Sequence, residues 1–533
     1  MWRHRLTLLR SRDLQLIHLL KSTRAGRAPG ALLLTLAFAL PGCAVTADFK
    51  PPAPPHTGSA DAAASPYAAA PLPAQSASAP GADGAAQRIA LGQDVPALWW
   101  QLFQSPALDQ LVRSAIEHSP TLAAAQSAVR QAQALYDADA GGKLLPGVSG
   151  QAGATRNRVS QAASQAPGGT EYNLFNASVA VSYSIDAFGA TRRELEGLQA
   201  GVDLQRWQVE AAYLTLTANL VTTAIQEASL RAQIKATQDV IASQQRTLAL
   251  VEQQARLGAV AQPAVLVQRT LLAQTQATLP ALGKALVQTH QQLAVLAGRL
   301  PGDRELAAFS LDGLQLPREL PVSLPSALVR QRPDIQASEA LLHAASAQVG
   351  VATANQYPQF TLSANAGVQS LTLDKIFSAP ARAWSLGGGV LAPIFNGGSL
   401  LARRKAAEAA YDQALAQYQQ TVLNAFLGVA NALQALDSDA QTLRAQAEAE
   451  ALAVQSLDLV AQQVQAGAAS ALALLDAERS VQQTRIALAQ ARGARYADTA
   501  ALFQALGGGW WNRADLPAAS APLAFQNTAS APR

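Results

Sequence analysis

The chain repeats itself about 209 residues apart, and this duplication constrains its fold more than any other feature. Phe188-Gly189 recurs as Phe395-Asn396-Gly397 at offsets of 207 and 208, and Pro146 recurs as Pro358 at an offset of 212. Leu257-Gly258-Ala259 recurs as Ala466-Gly467-Ala468, and Leu296-Ala297-Gly298 as Ala505-Leu506-Gly507, with the glycines of each pair 209 apart. Landmarks kept in one order at nearly constant spacing mark an internal repeat. Each half reads as a Pro-led strand, an aromatic-Gly corner, a long Ala/Gln/Leu helical run, a Gly-containing turn and a Leu-Gly stop.

Within each copy one stretch alternates with period two. From Asn176 to Asp186 the odd positions Val179, Val181, Tyr183 and Ile185 are large and apolar, while Ser178, Ala180, Ser182, Ser184 and Asp186 are small or polar. In the second copy Trp384, Leu386, Val390 and Ile394 form the apolar side, separated by Ser385, Gly387 and Gly389. Such alternation suits a sheet with oil on one face and water on the other. Neither stretch holds a Lys or Arg, which would cost about 2 to 4 kcal/mol on the lipid face at mid-bilayer. Weaker partner strands near Gly147–Thr155 and Phe360–Val368 make two hairpins, hence four strands. Four strands cannot close a membrane barrel, because an open edge leaves unpaired backbone groups in hydrocarbon. The missing strands must come from other copies of the chain, and a trimer would supply twelve. A soluble sandwich fragment is the competing reading, but the rest of the chain offers no further strands to pair with.

The remainder reads as helix, in keeping with 5% aromatic and 14% charged residues in a chain of 533. Residues 191–255 contain no Pro and only Gly197 and Gly201, and as helix would run on the order of 100 Å at about 1.5 Å per residue. Residues 264–297 return along that helix after a turn in which Gly258 suits a helix end and Pro263 a helix start. The second copy does the same through Ala466-Gly467-Ala468-Ala469-Ser470. Antiparallel coiled pairs follow, with small Ala and Ser allowing close packing and Gln244, Gln245, Gln253 and Gln254 keeping other faces wet. Polar helix faces can line a tunnel; an ordinary solvated coiled coil uses the same pattern.

Residues 1–42 hold seven Lys/Arg and the single acid Asp13, and removing them from totals of 40 and 36 leaves 33 basic and 35 acidic residues. The basic sequence pI of 9.2 is therefore a property of the leader, and a nucleic-acid role loses its electrostatic support. The run Ala31–Leu40 is too short to span a bilayer but suits a signal peptide. It ends in Leu40-Pro41-Gly42-Cys43, which resembles the lipobox of bacterial lipoproteins, with Pro41 in place of the usual small residue. Cys43, the only cysteine, is then expected to carry a covalent lipid, and no intrachain disulfide or cysteine metal cluster can form. Ala44 after it resembles outer-membrane sorting. The expected organisation is signal peptide 1–42, a lipidated Pro/Ala-rich tether 43–95, a first repeat 96–300, a linker 301–322, a second repeat 323–511 and a disordered tail 512–533.

Several strings resemble the TolC-like outer-membrane efflux proteins, in particular the lipoprotein branch of OprM and NodT. They are Trp99-Trp100 with Phe103 and Pro106-Ala107-Leu108-Asp109; Ser119-Pro120-Thr121-Leu122; and Ser182-Tyr183-Ser184-Ile185-Asp186-Ala187-Phe188-Gly189. The second half adds Arg330-Gln331-Arg332-Pro333-Asp334-Ile335, Pro393-Ile394-Phe395-Asn396-Gly397-Gly398, Leu474-Leu475-Asp476-Ala477-Glu478-Arg479 and Ala505-Leu506-Gly507-Gly508-Gly509-Trp510. The resemblance implies an α+β membrane protein: a homotrimer with a twelve-stranded β-barrel in the outer membrane, four strands per chain, continuous with an α-helical coiled-coil tunnel in the periplasm. It also implies a tripartite pump with a periplasmic adaptor and an inner-membrane transporter of the resistance-nodulation-division type. Leu472 and Asp476 match the family's periplasmic gate and, four residues apart, share a helix face. Three such carboxylates at one aperture would raise one another's pKa and could bind cations. Pairing of Asp476 with Arg479 on a solvated helix is the alternative. Leu257, Gly258 and Gly467 match the adaptor-docking tips, where helix capping alone would also explain the glycines.

Catalysis has no sequence support. The chain lacks G-x-S-x-G, a complete P-loop and H-E-x-x-H, and its six histidines are scattered without metal-ligand spacing. The expected function is a passive exit duct for small molecules; a type I secretion duct and a structural coiled-coil lipoprotein are the alternatives.

Overall fold

A computed structural model describes residues 48–53, 73–164, 169–303, 305–323 and 325–513. The expected signal peptide, Cys43, much of the tether and the tail beyond Arg513 lie outside the described residues.

One four-stranded antiparallel sheet gathers strands from both repeats in the order β2 (Gly147–Val159), β3 (Thr170–Ile185), β5 (Gln359–Ser370), β6 (Arg382–Leu391). Register sorts its faces. Val148 pairs with Val181, Tyr183 with Leu362, Ile185 with Phe360, Ala364 with Leu386 and Phe360 with Val390. Directly paired residues point to the same side, so these apolar groups share one face, which toward the far end of the hairpins also carries Arg156, Arg158, Glu171 and Arg382. The opposite face collects Ser149, Gln151, Ser178, Ser182, Ser363, Asn365 and Ser385. Ile394, expected on the apolar side, lies beyond the end of β6 at Leu391, where Pro393 offers no N–H to a ladder.

At the foot of each hairpin a glycine turns the chain into a long helix. Gly189 (φ 82°) precedes α3 (Ala190–Arg256) and Gly398 (φ 81°) precedes α8 (Ser399–Gln465), each of 67 residues. Asp186 caps α3 by accepting from the backbone N–H groups of Thr191 (3.1 Å) and Arg192 (2.9 Å). At about 1.5 Å per residue each helix is roughly 100 Å long. Returning helices pack alongside: α9 (Ala471–Ala505) on α8, and α4 (Gln262–Gln276) followed by α5 (Leu279–Leu296) on α3. The first return was expected to run unbroken over 264–297. Pro280, which lacks an N–H, enters the first turn of α5, and the helix is interrupted at Ala277–Thr278. The second return contains no proline and is continuous. Shorter helices α1 (Pro106–His118), α2 (Pro120–Leu144), α6 (Pro325–Gln331) and α7 (Pro333–Ala354) complete the repeats.

The tether expected to extend through residue 95 does not do so. Residues 73–95 pack on the body, where β1 (Arg88–Leu91) pairs in parallel with β4 (Glu319–Val322) of the expected linker. These are strands that the sequence reading did not find. Their anchor is a buried polar cluster on α9: Arg495 donates to the carbonyls of Ala85 (2.7 Å) and Asp83 (3.2 Å), and Tyr496 donates to the Asp83 carboxylate. Gln87 donates to the Pro317 carbonyl at 3.0 Å. Burial pushes the Tyr496 hydroxyl well above its ordinary range, aided by Asp83.

The main core sits beside this cluster. Trp99, Trp100 and Phe103 are fully buried against Tyr496 and Phe503, with Trp99 and Phe503 rings 5.4 Å apart. Burying side chains of this size contributes about 1.5 to 3 kcal/mol each. Two strings singled out in the sequence lock together here. Arg332 donates to the Ala505 carbonyl at 2.6 Å, and Trp510 donates from its indole nitrogen to the Gln331 carbonyl at 2.6 Å.

Candidate gate and docking tips

The sheet and the helix turns lie at opposite ends of α3 and α8, so whatever the turns do is done roughly 100 Å from the strands. Both turns are built alike. Gly258 (φ 80°) donates to Ala255 O at 3.0 Å, and Gly467 (φ 72°) donates to Val464 O at 3.1 Å. A Cβ at either glycine would meet nothing within 4 Å, so the left-handed backbone and not crowding selects the residue. Leu257 beside the first turn is 77% exposed. In the second turn Ser470 caps α9 by accepting from Ala473 N at 3.2 Å.

Past the second turn, α9 divides into two faces. Leu474, Leu475, Glu478 and Val481 are buried, whereas Leu472, Asp476 and Arg479 are exposed and follow one another at helical spacing. The expected pair Leu472 and Asp476 therefore share a free face, with Leu472 63% exposed. Asp476 and Arg479 come within 4.0 Å of each other, with both side chains more than half exposed. An ion pair in that setting contributes about 0 to 1 kcal/mol and leaves the carboxylate accessible. Val267, the first-repeat counterpart of Asp476, is also exposed but carries no charge.

Sequence reasoning missed the residue between them. Glu478 is 3% exposed and accepts from the Thr247 hydroxyl on α3 at 2.5 Å and from the Gln268 amide on α4 at 2.9 Å. Nothing local in Asp476-Ala477-Glu478-Arg479 separates a buried acid from an exposed one; only the partners, more than 200 residues away, do so.

Cys43 lies outside the described residues, and the described chain begins five residues later at Asp48. Asp48 pairs with Arg193 in the first turn of α3 at 2.9 Å. Phe49 stacks on His343 of α7 with ring centroids 4.4 Å apart, and His343 reaches Glu196 at 2.8 Å. Arg193 lies eight residues after the last residue of β3, so this clamp sits at the sheet end of the helices.

No group of three or more metal-ligating side chains occurs among the described residues, and no described helix is long and apolar enough to cross a membrane.

Comparison with known proteins gives a consistent picture. A family model described as outer membrane efflux protein matches residues 111–299 and 324–508, one segment in each repeat. The chain is 35% identical over 430 residues to the pyoverdine export outer membrane protein OpmQ of Pseudomonas putida, covering 79% of this chain and 89% of that protein. It is 29% identical over 419 residues to the solvent efflux pump outer membrane protein SrpC of Pseudomonas putida, covering 77% and 87%. Among solved structures, the outer-membrane channel OprN superposes with a TM-score of 0.76 at 31% identity, covering 78% of this chain and 93% of that one.

Proposed function

Because the chain belongs to the outer membrane efflux protein family and is the outer-membrane channel of an efflux pump, extending into the periplasm, we propose that three copies assemble into one duct. Four strands from each would close a twelve-stranded barrel, and the long helices would form the periplasmic tunnel. The observation that carries this reading is the four-stranded sheet, apolar on one face through the half nearer the long helices, with β2 and β6 as unpaired edges. Edges of that kind are not tolerated in hydrocarbon. Three chains remove all six.

The cargo is a small molecule. The relatives described above carry the names of pyoverdine export and solvent efflux proteins, and both cargoes are small beside a secreted protein. The partners are a periplasmic adaptor docking at the turns around Leu257, Gly258 and Gly467, and an inner-membrane transporter of the resistance-nodulation-division type. Cys43 carries the lipid once residues 1–42 are removed. Asp48 and Phe49 support that reading, because five residues extend at most about 18 Å and so keep the acyl chains close to the foot of the sheet.

Leu472 and Asp476 form an apolar ring and an acidic ring that narrow the periplasmic mouth, supported by their shared exposed face on α9. Purified protein should run as a heat-modifiable oligomer and give discrete single-channel conductance in planar bilayers. Asp476→Ala should raise the resting conductance; an unchanged closed-state conductance removes the ring assignment. A bulky residue at Gly467 should abolish efflux with oligomer and membrane level intact, and unaffected efflux would count against docking there.

A further inference from the structure

The charged residues of the four-stranded sheet all stand on one face and at one end. They are Arg156 and Arg158 of β2, Glu171 of β3 and Arg382 of β6. Register places each of them on the side of Val148, Val181, Phe360 and Leu386. The opposite face, with its serines and Asn365, holds none. A charge on a lipid-facing side is disfavoured within the hydrocarbon, and a need for water alone would put it on the polar face. An anionic layer at the right depth resolves the contradiction.

The depth follows from the strand. From Ile185 to Phe175 the apolar side of β3 takes ten residue steps. At about 3.4 Å each and a tilt of about 40° these rise about 26 Å, close to the height of a lipid-facing band. The charges start where that band ends. Arg156 pairs with Asn173 and Arg158 with Glu171, two and four residues past Phe175. On β6 the order is the same: Trp384 is 82% exposed, and Arg382 follows two residues farther out. Aromatic rings mark the headgroup level of a spanning strand, so guanidinium groups just beyond them lie among headgroups. The long helices leave the other end of the sheet for the periplasm. These headgroups therefore belong to the outer leaflet of the outer membrane, which in bacteria is built from a phosphorylated glycolipid.

Glu171 lies 3.1 Å from Arg156 and 3.6 Å from Arg158, with all three side chains about half exposed or more. Pairs this exposed are weak, so one carboxylate orders two guanidinium groups and leaves them open to a stronger anion. The connections 160–169 and 371–381 add only Asp374 and Lys375, which cancel, and this end of the chain keeps three arginines against one glutamate.

We propose that Arg156, Arg158 and Arg382 bind the phosphate groups of the outer-leaflet glycolipid, Arg156 and Arg158 as a paired site ordered by Glu171. A guanidinium fork matches a phosphate with two parallel hydrogen bonds. The inference rests on the reading that the apolar face meets lipid, but not on the number of copies.

In the test, full-length channel in neutral detergent is titrated with bisphosphorylated lipid A in the same micelles, and the lipid retained per oligomer is read by native mass spectrometry. Arg156→Gln/Arg158→Gln should weaken retention about thirtyfold and Arg382→Gln about fivefold, the changes expected for two charges and one at an anionic surface. Both variants should remain heat-modifiable oligomers, because the substitutions lie beyond the apolar band. Arg130→Gln on α2, far from the strands' outer end, should change nothing. Where the double variant does not assemble, Arg158→Gln carries the same comparison. Retention equal to wild type in the arginine variants overturns the inference, as does an equal loss in Arg130→Gln. Equal retention of phosphatidylglycerol would make the site a general phospholipid contact, and displacement by millimolar inorganic phosphate would make it a free-anion site; either overturns the assignment to the glycolipid. A wild-type chain that forms no heat-modifiable oligomer defeats the barrel reading and this inference together. A heat-modifiable oligomer whose lipid A retention ignores these arginines defeats this inference alone.

Discussion

Gly493 on α9 packs directly against the first repeat: a Cβ there would lie 2.6 Å from the Ser229 Cβ on α3. In an exposed helix, glycine to alanine stabilises by about 1 kcal/mol. Here the clash reverses the sign, and Gly493→Ala should destabilise by about 1 to 3 kcal/mol, as overpacking does. Gly258→Ala differs, since space is open there and only the left-handed backbone resists, at roughly 1 to 2 kcal/mol. The melting temperatures of the two variants check this; a Gly493→Ala protein as stable as wild type would show that α3 and α9 can separate freely. The tip glycines were legible in the sequence because a turn between helical runs has a local signature. Gly493 and Glu478 were not, because what makes each special is a partner that arrives only when the two repeats pack.

The long helices were legible as elements, since an Ala/Gln/Leu run without proline leaves little else to form; α3 begins and ends within a residue of the expected 191–255. The break between α4 and α5 was missed, although Pro280 announces it locally. The folded 73–95 segment was missed for a different reason: its Ala/Ser/Gly composition resembles a linker, and its order comes from Arg495, Tyr496 and the β4 strand far along the chain. One contact between elements carries a pH dependence. Asp439 on α8 shares a hydrogen bond with Asp498 on α9, and burial with that neighbouring carboxylate pushes Asp439 up to about 7, while Arg495 opposes the rise. Between its ordinary value of 3.8 and about 7 the folded protein holds a proton that the unfolded chain has lost. Stability therefore falls as pH rises through that window and levels off above it. The melting temperature should be lower at about pH 8 than at about pH 5.5, and Asp439→Asn should flatten the difference. An unaltered pH profile in that variant would place the sensitivity elsewhere.

At the scale of the whole molecule, the sheet decides what the chain can be. The alternation along β3 and β6 was readable from sequence, but not that β3 pairs with β5 across the repeat boundary, which joins the two hairpins into one surface. That surface assigns each side chain a side, and the assignment can be tested with a matched pair of variants. Leu386 and Ser363 lie in neighbouring strands; Leu386 shares the face of Val390, Phe360 and Tyr183, while Ser363 pairs with Gly387 on the face of Ser182 and Asn365. Arginine at Leu386 would meet lipid in each copy, at about 2 to 4 kcal/mol per side chain near mid-bilayer. In the proposed trimer that penalty is met three times, so Leu386→Arg should fail to accumulate as a heat-modifiable oligomer in the outer membrane. Arginine at Ser363 would face the lumen, where water solvates it. Ser363→Arg should assemble normally and lower single-channel conductance for cations, because in the proposed trimer three added charges line the bore. Equal assembly of both variants would mean that the apolar face does not meet lipid, and a barrel shared among copies would no longer follow from the sheet.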